Sequence, residues 1–140
     1  MKLIVFTDGA SRGNPGLASY GFAVYNQDKE ILYEEGKYIG ITTNNVAEYR
    51  ALIEGLKRAH ELKANEVECY LDSELVVKQL RGEYKLKHYN MQKLFDDVRK
   101  VEKEFKRVSY IHLRREENHM PRADQLVNFA LDQAERKARR

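Results

Sequence analysis

Cysteine, tryptophan, long apolar runs and low-complexity tracts are scarce or absent in this sequence. Cys69 is the only cysteine, so an internal disulfide and a zinc site built from cysteines are both excluded. Apolar stretches such as Leu3–Phe6 are far shorter than the roughly 20 residues that cross a bilayer. The N-terminus also lacks the pattern of a secretory signal. We therefore expect a cytoplasmic protein that does not enter a membrane.

Length and charge narrow the possibilities further. A chain of 140 residues is the size of one ordinary domain, so we expect residues 1–140 to form a single unit. The net charge is +3 overall, but it is −2 over residues 1–70 and +5 over residues 71–140. An uneven distribution of this kind favours an acidic partner, although most charged stretches are simply solvated surface.

Hydrophobic periodicity predicts five strands and four helices. Apolar or alternating stretches predict the strands, and recurrences at three and four residues predict the helices. The predicted strands are Leu3–Thr7, Tyr20–Tyr25, Ile31–Ile39, Val67–Asp72 and Val108–Leu113. The predicted helices follow Thr43 through His60, follow Ser73 to about Leu80, and span Tyr89–Phe105 and Arg122 to about Lys137.

The order of these elements predicts an α/β fold with a mixed five-stranded sheet. Three strands joined by short loops predict an antiparallel meander, and two strands reached through helices are expected to run parallel. Helices should cover the two faces of this sheet.

Two aspartates come at the ends of predicted strands. Asp8 follows the first strand and Asp72 ends the fourth. If these strands are parallel neighbours, their carboxylates converge at the edge of the sheet where ligands bind. Converging carboxylates need a shared proton or a cation, and oxygen ligands favour Mg²⁺ or Mn²⁺. The alternative is that each aspartate only caps a turn or a helix.

Two more acids stand near the starts of predicted helices. Glu48 lies one turn inside the first helix, where Asn45 and Glu48 also fit a capping box. Asp124 begins the last helix, where an acid also complements the helix dipole. Helix capping and dipole effects do not explain why four acids all fall at element ends that could meet at one edge.

Four motifs, in order along the chain, resemble those of the type 1 ribonuclease H family. Residues 6–16 (FTDGASRGNPG) resemble the opening signature of that family, and residues 42–52 (TTNNVAEYRAL) resemble its first-helix motif. Residues 72–76 (DSELV) resemble its fourth-strand motif, and residues 115–118 (REEN) with 123–128 (ADQLVN) resemble its last motif. The resemblance therefore spans nearly the whole chain and implies a ribonuclease H-like fold.

The resemblance makes Asp8, Glu48, Asp72 and Asp124 the metal-binding catalytic residues. It implies hydrolysis of the RNA strand of an RNA–DNA hybrid, with two Mg²⁺ or Mn²⁺ ions bound together with the substrate. In such a site one ion activates water and the other stabilises the leaving 3′-oxygen, giving 5′-phosphate and 3′-hydroxyl ends. Asp8 is expected to bridge the ions, with Asp72 and Glu48 completing one and Asp124 the other.

The resemblance also implies which residues contact the hybrid. Asn14, Asn44 and Asn45 match residues that contact it, and Thr43 matches one that contacts a phosphate of the DNA strand. The alternative for the asparagines is turn and cap chemistry. Ile41 stands where many members of the family carry an arginine, so we expect double-stranded RNA to be cleaved as well.

Two regions depart from the usual family pattern. The segment between Arg81 and Phe95 is short, and with no tryptophan in the chain it lacks the basic protrusion of many relatives. Lys78, Arg81, Lys85 and Lys87 could still follow a nucleic-acid backbone, or form a solvated face. His119 is either a catalytic substitute for the mobile histidine of the family or an ordinary loop residue.

Three functions remain open at this point. The first is a monomeric hybrid-cleaving enzyme, the second a non-catalytic nucleic-acid-binding domain of the same fold, and the third a module that works alongside another protein. The presence of all four acids favours the enzyme.

Overall fold

The computed structural model describes residues 1–86, 89–113 and 121–139, with the backbone alone for Tyr89, Asn90 and Pro121. The order of elements is the predicted one, β-β-β-α-β-α-α-β-α. The strands are β1 (Lys2–Gly13), β2 (Gly16–Tyr25), β3 (Ile31–Thr42), β4 (Glu66–Leu71) and β5 (Arg107–His112). The helices are α1 (Asn44–Glu61), α2 (Glu74–Leu80), α3 (Tyr89–Glu102) and α4 (Pro121–Ala138).

The strands form one mixed sheet in the order β3-β2-β1-β4-β5. β2 pairs antiparallel with both β1 and β3, while β4 pairs parallel with both β1 and β5. The prediction of an antiparallel meander joined to two parallel strands is therefore confirmed.

Helices pack on both faces of the sheet. A side chain added at Gly55 of α1 would meet Phe22 of β2, whereas one added at Gly21 would meet Ala123 of α4. Because neighbouring residues of a strand point to opposite faces, α1 and α4 lie on opposite sides of β2. Within the described residues, no helix is both long and apolar enough to cross a membrane.

The first strand is longer than the sequence predicts. It does not end in a turn at Asp8 and Gly9 but continues to Gly13, because it keeps antiparallel pairing with β2 until Gly13 faces Gly16. Its parallel pairing with β4 does end at Thr7, opposite Leu71. Asp8 is thus the first residue of β1 beyond the parallel neighbour.

The core lies mainly between the sheet and α1. The stripe that the periodicity predicts for α1 consists of Val46, Tyr49, Ile53, Leu56 and His60. Tyr49, Ile53 and Leu56 are buried together with the small residues Ala47, Ala51 and Ala59, whereas Val46 is half-buried and His60 is exposed. β4 alternates as predicted, with Val67, Cys69 and Leu71 buried. Helix α3 ends at Glu102, three residues before the predicted end.

Candidate active site

Asp8 and Asp72 are placed by neighbouring parallel strands. Asp8 lies just past the last parallel pair, Thr7 and Leu71, and Asp72 follows Leu71 directly. Neighbouring strands are about 4.8 Å apart, so both carboxylates stand at one edge of the sheet. His112 lies beside this edge, with its Nε2 3.1 Å from the carbonyl oxygen of Asp72.

Glu48 reaches the same edge from α1. The N-cap of α1 is Thr43, whose Oγ1 accepts a hydrogen bond from the Val46 amide at 3.3 Å. Asn45 is therefore already inside the helix, so the capping box of Asn45 with Glu48 is absent. The Glu48 carboxylate is instead held by Asn44, whose Nδ2 donates to Oε1 at 3.2 Å.

Gly9 allows α1 to come this close. A Cβ atom at Gly9 would lie 2.3 Å from the carbonyl carbon of Ala47 and 2.5 Å from the amide nitrogen of Glu48. Real Cβ atoms do not approach backbone so closely, so any other residue at this position would push the first turns of α1 away. The glycine next to Asp8 thus positions Glu48.

Asp124 is brought to the site by a second close approach. Gly21 pairs with Asp8 across the sheet, and a Cβ there would lie 2.7 Å from the carbonyl oxygen of Ala123. Gly36 on β3 gives the same room beneath Leu126, at 2.7 Å from its carbonyl oxygen. Helix α4 therefore lies directly on a strip of strand surface without side chains.

Polar contacts fix α4 along its length. Arg122 in its first turn binds both carboxylate oxygens of Glu34 on β3. Further along, Arg12 of β1 contacts Asp132 at 2.8 Å and Glu135 at 2.9 Å. The helix that carries Asp124 is thus held to the sheet at both ends.

The four carboxylates interact strongly. Burial raises the pKa of Asp8 to about 8, and the charge and hydrogen bond of Asp124, followed by the charges of Asp72 and Glu48, add to this rise. Burial likewise raises the pKa of Glu48 to about 7, helped by Asp72 and opposed by Ser73 and Asn44. The site therefore holds protons near neutral pH, where ordinary carboxyl groups are ionised.

The four carboxylates repel one another when they are ionised, and a divalent cation would relieve this repulsion. All four candidate ligands are carboxylates, the type that Mg²⁺ and Mn²⁺ prefer. Glu48 Oε2 is buried and has no hydrogen-bond partner, an arrangement that a cation would satisfy. Within residues 1–86, 89–113 and 121–139, no group of three or more His, Cys, Asp or Glu side chains could hold an ion as it stands. The residues fit the ion in chemistry and charge, although the described side chains do not yet form a complete set of ligands.

The residues predicted to contact the substrate surround the start of α1. Asn14, in the turn between β1 and β2, accepts a hydrogen bond from the Asn44 amide at 3.1 Å. Asn14 and Asn45 are exposed, while Thr43 and Asn44 are half-buried. Asn14 and Asn44 make turn and helix-end contacts, as the alternative for the asparagines held. The exposed side chains of Asn14 and Asn45 remain accessible to a substrate.

Part of the predicted basic path has a structural role. Nε and Nη2 of Arg81 both donate to the carbonyl oxygen of Tyr110, at 3.0 and 2.7 Å, which joins the end of α2 to β5. Lys78 contacts Glu74 at 2.8 Å. Lys87 and His119 lie outside the described residues, as do residues 115–118 of the last motif.

Sequence reasoning missed the backbone positions that shape the site. Gly9, Gly21 and Gly36 carry no chemistry of their own, and their effect depends on helices distant in sequence. His112 shows no ligand spacing in the sequence and is interpreted as structural, and its contact with the backbone carbonyl of Asp72 agrees with that role. Gly9 is followed by the small residues Ala10 and Ser11, whereas Gly21 and Gly36 stand between larger residues, so no local pattern marks them.

Comparison with known proteins gives a consistent result. The family described as reverse transcriptase-like matches residues 6–130. The bifunctional protein Rv2228c of Mycobacterium tuberculosis is 43% identical over 139 residues, which are 99% of this chain and 38% of that protein. This chain thus spans well under half the length of that relative. Ribonuclease HI of Halobacterium salinarum is 40% identical over 133 residues, covering 95% of this chain and 66% of that protein.

Solved structures are similar over almost the full length. The N-terminal ribonuclease H domain of Rv2228c, solved as a fusion with maltose-binding protein, has a TM-score of 0.93 at 42% identity, covering 98% of both chains. LC11-RNase H1 in complex with an RNA/DNA hybrid has a TM-score of 0.88 at 39% identity, covering 94% of this chain and 98% of that one.

Proposed function

Because this chain belongs to the type 1 ribonuclease H family, we propose that it is an endoribonuclease that hydrolyses the RNA strand of RNA–DNA hybrids. The observation that carries the proposal is the convergence of Asp8, Glu48, Asp72 and Asp124, which lie close enough together for the other three acids to raise the pKa of Asp8. A domain that only bound nucleic acid would gain nothing from four acids beside an anionic backbone. The hybrid bound to LC11-RNase H1 supports the choice of substrate.

The four acids would hold two divalent cations, Mg²⁺ or Mn²⁺, when the substrate is bound. Such ions neutralise the scissile phosphate, lower the pKa of the attacking water and stabilise the leaving oxygen. Asp8 would contribute to both positions, Glu48 and Asp72 to one, and Asp124 to the other. Asp8 shares a hydrogen bond with Asp124, which helps to raise its pKa, and the two carboxyl groups would have to give up the shared proton to serve as metal ligands.

The reaction is a hydrolysis in which water adds to phosphorus and the bond to the 3′-oxygen breaks. The products would be a 5′-phosphate and a 3′-hydroxyl. On this chain, Asn14, Asn44 and Asn45 would contact 2′-hydroxyls in the minor groove of the hybrid, where RNA differs from DNA. Thr43 would contact a phosphate of the opposite strand.

We include double-stranded RNA as a second substrate of the same site. Ile41 is 73% exposed beside the start of α1, at the position where many members of the family carry an arginine. An apolar side chain gives no attraction to a phosphate of the DNA strand, so the preference for DNA opposite the RNA should be weak. A labelled RNA duplex that stays intact with Mn²⁺ and a large amount of enzyme would contradict this part.

The test of the main proposal is cleavage of an end-labelled RNA–DNA hybrid with Mg²⁺ and with Mn²⁺. The parent protein should cut the RNA strand, and Asp8→Asn should not. Asp28→Asn is the matched control, because Asp28 is an exposed residue of the loop between β2 and β3 and the substitution removes the same charge. Full activity of Asp8→Asn would sink the mechanism, and tight hybrid binding by the parent without any cleavage would favour a non-catalytic binding domain.

His119 needs its own variant, since it lies outside the described residues. If it moves protons or assists product release, His119→Ala lowers kcat at least tenfold, about 1.4 kcal/mol in barrier height. An unchanged kcat would make it an ordinary loop residue. The cytoplasmic location, the monomeric state and the single domain over residues 1–140 stay predictions.

A further inference from the structure

Asn44 makes three hydrogen bonds that join separate parts of the site. Its Oδ1 accepts from the amide of Ser11 on β1 at 3.2 Å, and its Nδ2 donates to Glu48 Oε1 at 3.2 Å. Its own amide donates to Asn14 Oδ1 at 3.1 Å. Side chain and backbone of one residue therefore connect the β1–β2 hairpin to a candidate metal ligand.

The Ser11 contact fixes which way the Asn44 side chain faces. A backbone N–H can only donate, so the carbonyl oxygen of the Asn44 side-chain amide must face β1. The amino end is thereby turned toward Glu48, where it can only donate to a carboxylate oxygen. The orientation of the donor is thus set by β1 and not by Glu48 itself.

Fixing one oxygen of Glu48 decides the position of the other. Asn44 holds Oε1, and Ser73 also lies close enough to Glu48 to lower its pKa, while Oε2 is buried and has no partner in hydrogen-bond geometry. A buried carboxylate oxygen left unpaired is unfavourable unless a cation or donor arrives. Oε2 is therefore the atom of Glu48 that is available to an ion.

We infer that Asn44 is a positioning residue for Glu48, holding Oε1 so that Oε2 can bind the divalent cation. The inference rests on the proposed function, because that function is what places a cation beside Glu48. It goes beyond the contact with the hybrid that the family resemblance implies for this residue. Since Asn44 is also bonded to Asn14, the hairpin expected to meet RNA is linked to the metal ligand.

The test is a double-mutant cycle on Mn²⁺ affinity, measured by calorimetry on the protein without nucleic acid. Asn44→Ala should weaken Mn²⁺ binding about tenfold, the lower end of the effect of removing a partner that orients a metal ligand. In the Glu48→Gln background, Asn44→Ala should change the affinity little, because the carboxylate that it positions is gone. Asn45→Ala, one residue further along the same helix, should leave Mn²⁺ affinity unchanged.

A purely structural role would give a different pattern. If Asn44 only supported the fold, Asn44→Ala would weaken Mn²⁺ binding equally in both backgrounds, and that result would overturn the inference. The inference would also be overturned if Asn44→Ala left the Mn²⁺ affinity unchanged in the protein that keeps Glu48. Asn44→Gln keeps both polar groups one methylene further out, so it gives a smaller change of the same sign if the alanine variant does not fold.

Failure of the proposed function can be told apart from failure of this inference. Coupling between Asn44 and Glu48 in Mn²⁺ binding, without cleavage of any hybrid, would support the positioning role and refute the enzyme. Cleavage of the hybrid with no coupling would support the enzyme and overturn the positioning role. Kinetics separate the two roles further. Replacing a residue that only contacts the hybrid raises KM, whereas replacing one that positions Glu48 lowers kcat.

Discussion

Removing one negative charge from the carboxylate cluster should stabilise the metal-free protein. Burial and three neighbouring acids raise the pKa of Asp8 from 3.8 to about 8. A carboxyl group with a higher pKa in the folded state binds its proton more tightly when folded, so ionising it favours unfolding. The contribution of Asp8 to the free energy of unfolding should therefore be highest below about pH 4 and fall between about pH 4 and pH 8. Asp8→Asn should remove much of this fall.

The size of the effect follows from the pKa. One pKa unit corresponds to about 1.4 kcal/mol, and about three units separate 3.8 from neutral pH, so the ceiling is about 4 kcal/mol. Side-chain rearrangement and the retained repulsion among the other acids reduce this, and we expect a gain of about 2 kcal/mol at neutral pH. For a chain of this length that raises the melting temperature by roughly 6–8 °C.

Thermal unfolding in EDTA, followed by circular dichroism from acid to alkaline pH, measures this effect. Asp8→Asn should melt above the parent at neutral pH, and the two melting temperatures should converge as the pH falls toward the pKa of an ordinary aspartate. Asp28→Asn should follow the parent throughout. Saturating Mn²⁺ should reverse the order, because the parent gains stability from a ligand that the variant binds poorly. A difference in stability between the two proteins that does not change across this range, or a variant that melts below the parent in EDTA, would refute the reasoning.

The structure makes three further predictions. Gly9→Ala and Gly21→Ala place a methyl group 2.3 and 2.7 Å from helix backbone, so each should lower the free energy of unfolding by about 1–3 kcal/mol in a denaturant melt. Gly9→Ala also displaces Glu48, so it should reduce the initial rate of hybrid cleavage by about a hundredfold. Ile41→Arg should raise the ratio of hybrid to double-stranded RNA cleavage, and an unchanged ratio would remove Ile41 from the account of specificity. Cys69 is 0% exposed and burial raises the pKa of its thiol, so iodoacetamide should modify it only as fast as the protein unfolds, and rapid labelling of the native protein would contradict this.

Local patterns were sufficient for most of the fold. The alternation of Val67, Cys69 and Leu71 predicts a half-buried strand, and that strand is confirmed. Ser73 was predicted to begin α2, and its hydroxyl does accept the Val76 amide at 3.2 Å. These features depend on residues within one turn or one strand, so a short stretch of sequence contains all the information.

The errors occur where a distant partner decides the outcome. β1 continues past Asp8 because β2 pairs with it, which apolar periodicity within residues 3–7 cannot register. The capping box of Asn45 with Glu48 is absent because the helix begins one residue earlier, after Thr43, where Asn44 is bonded both to β1 and to the hairpin turn. The apolar period of α3 predicts a helix that extends to Phe105. Phe105 is buried, as the period predicts, but the helix ends before it at Glu102.

The acids alone do not make this site, because two of them depend on places where a side chain is missing. Glu48 reaches the sheet edge only while Gly9 lets α1 touch β1, and Asp124 reaches it only while Gly21 lets α4 lie on β2. Gly9 follows Asp8 in the chain, and Gly21 faces Asp8 across the strand pair. Asp8 therefore has two neighbouring glycines, and each of them makes room for a helix that carries another carboxylate. A sequence that kept all four acids but carried larger residues at both glycines would keep the donor chemistry and lose the convergence on which the proposed metal binding depends.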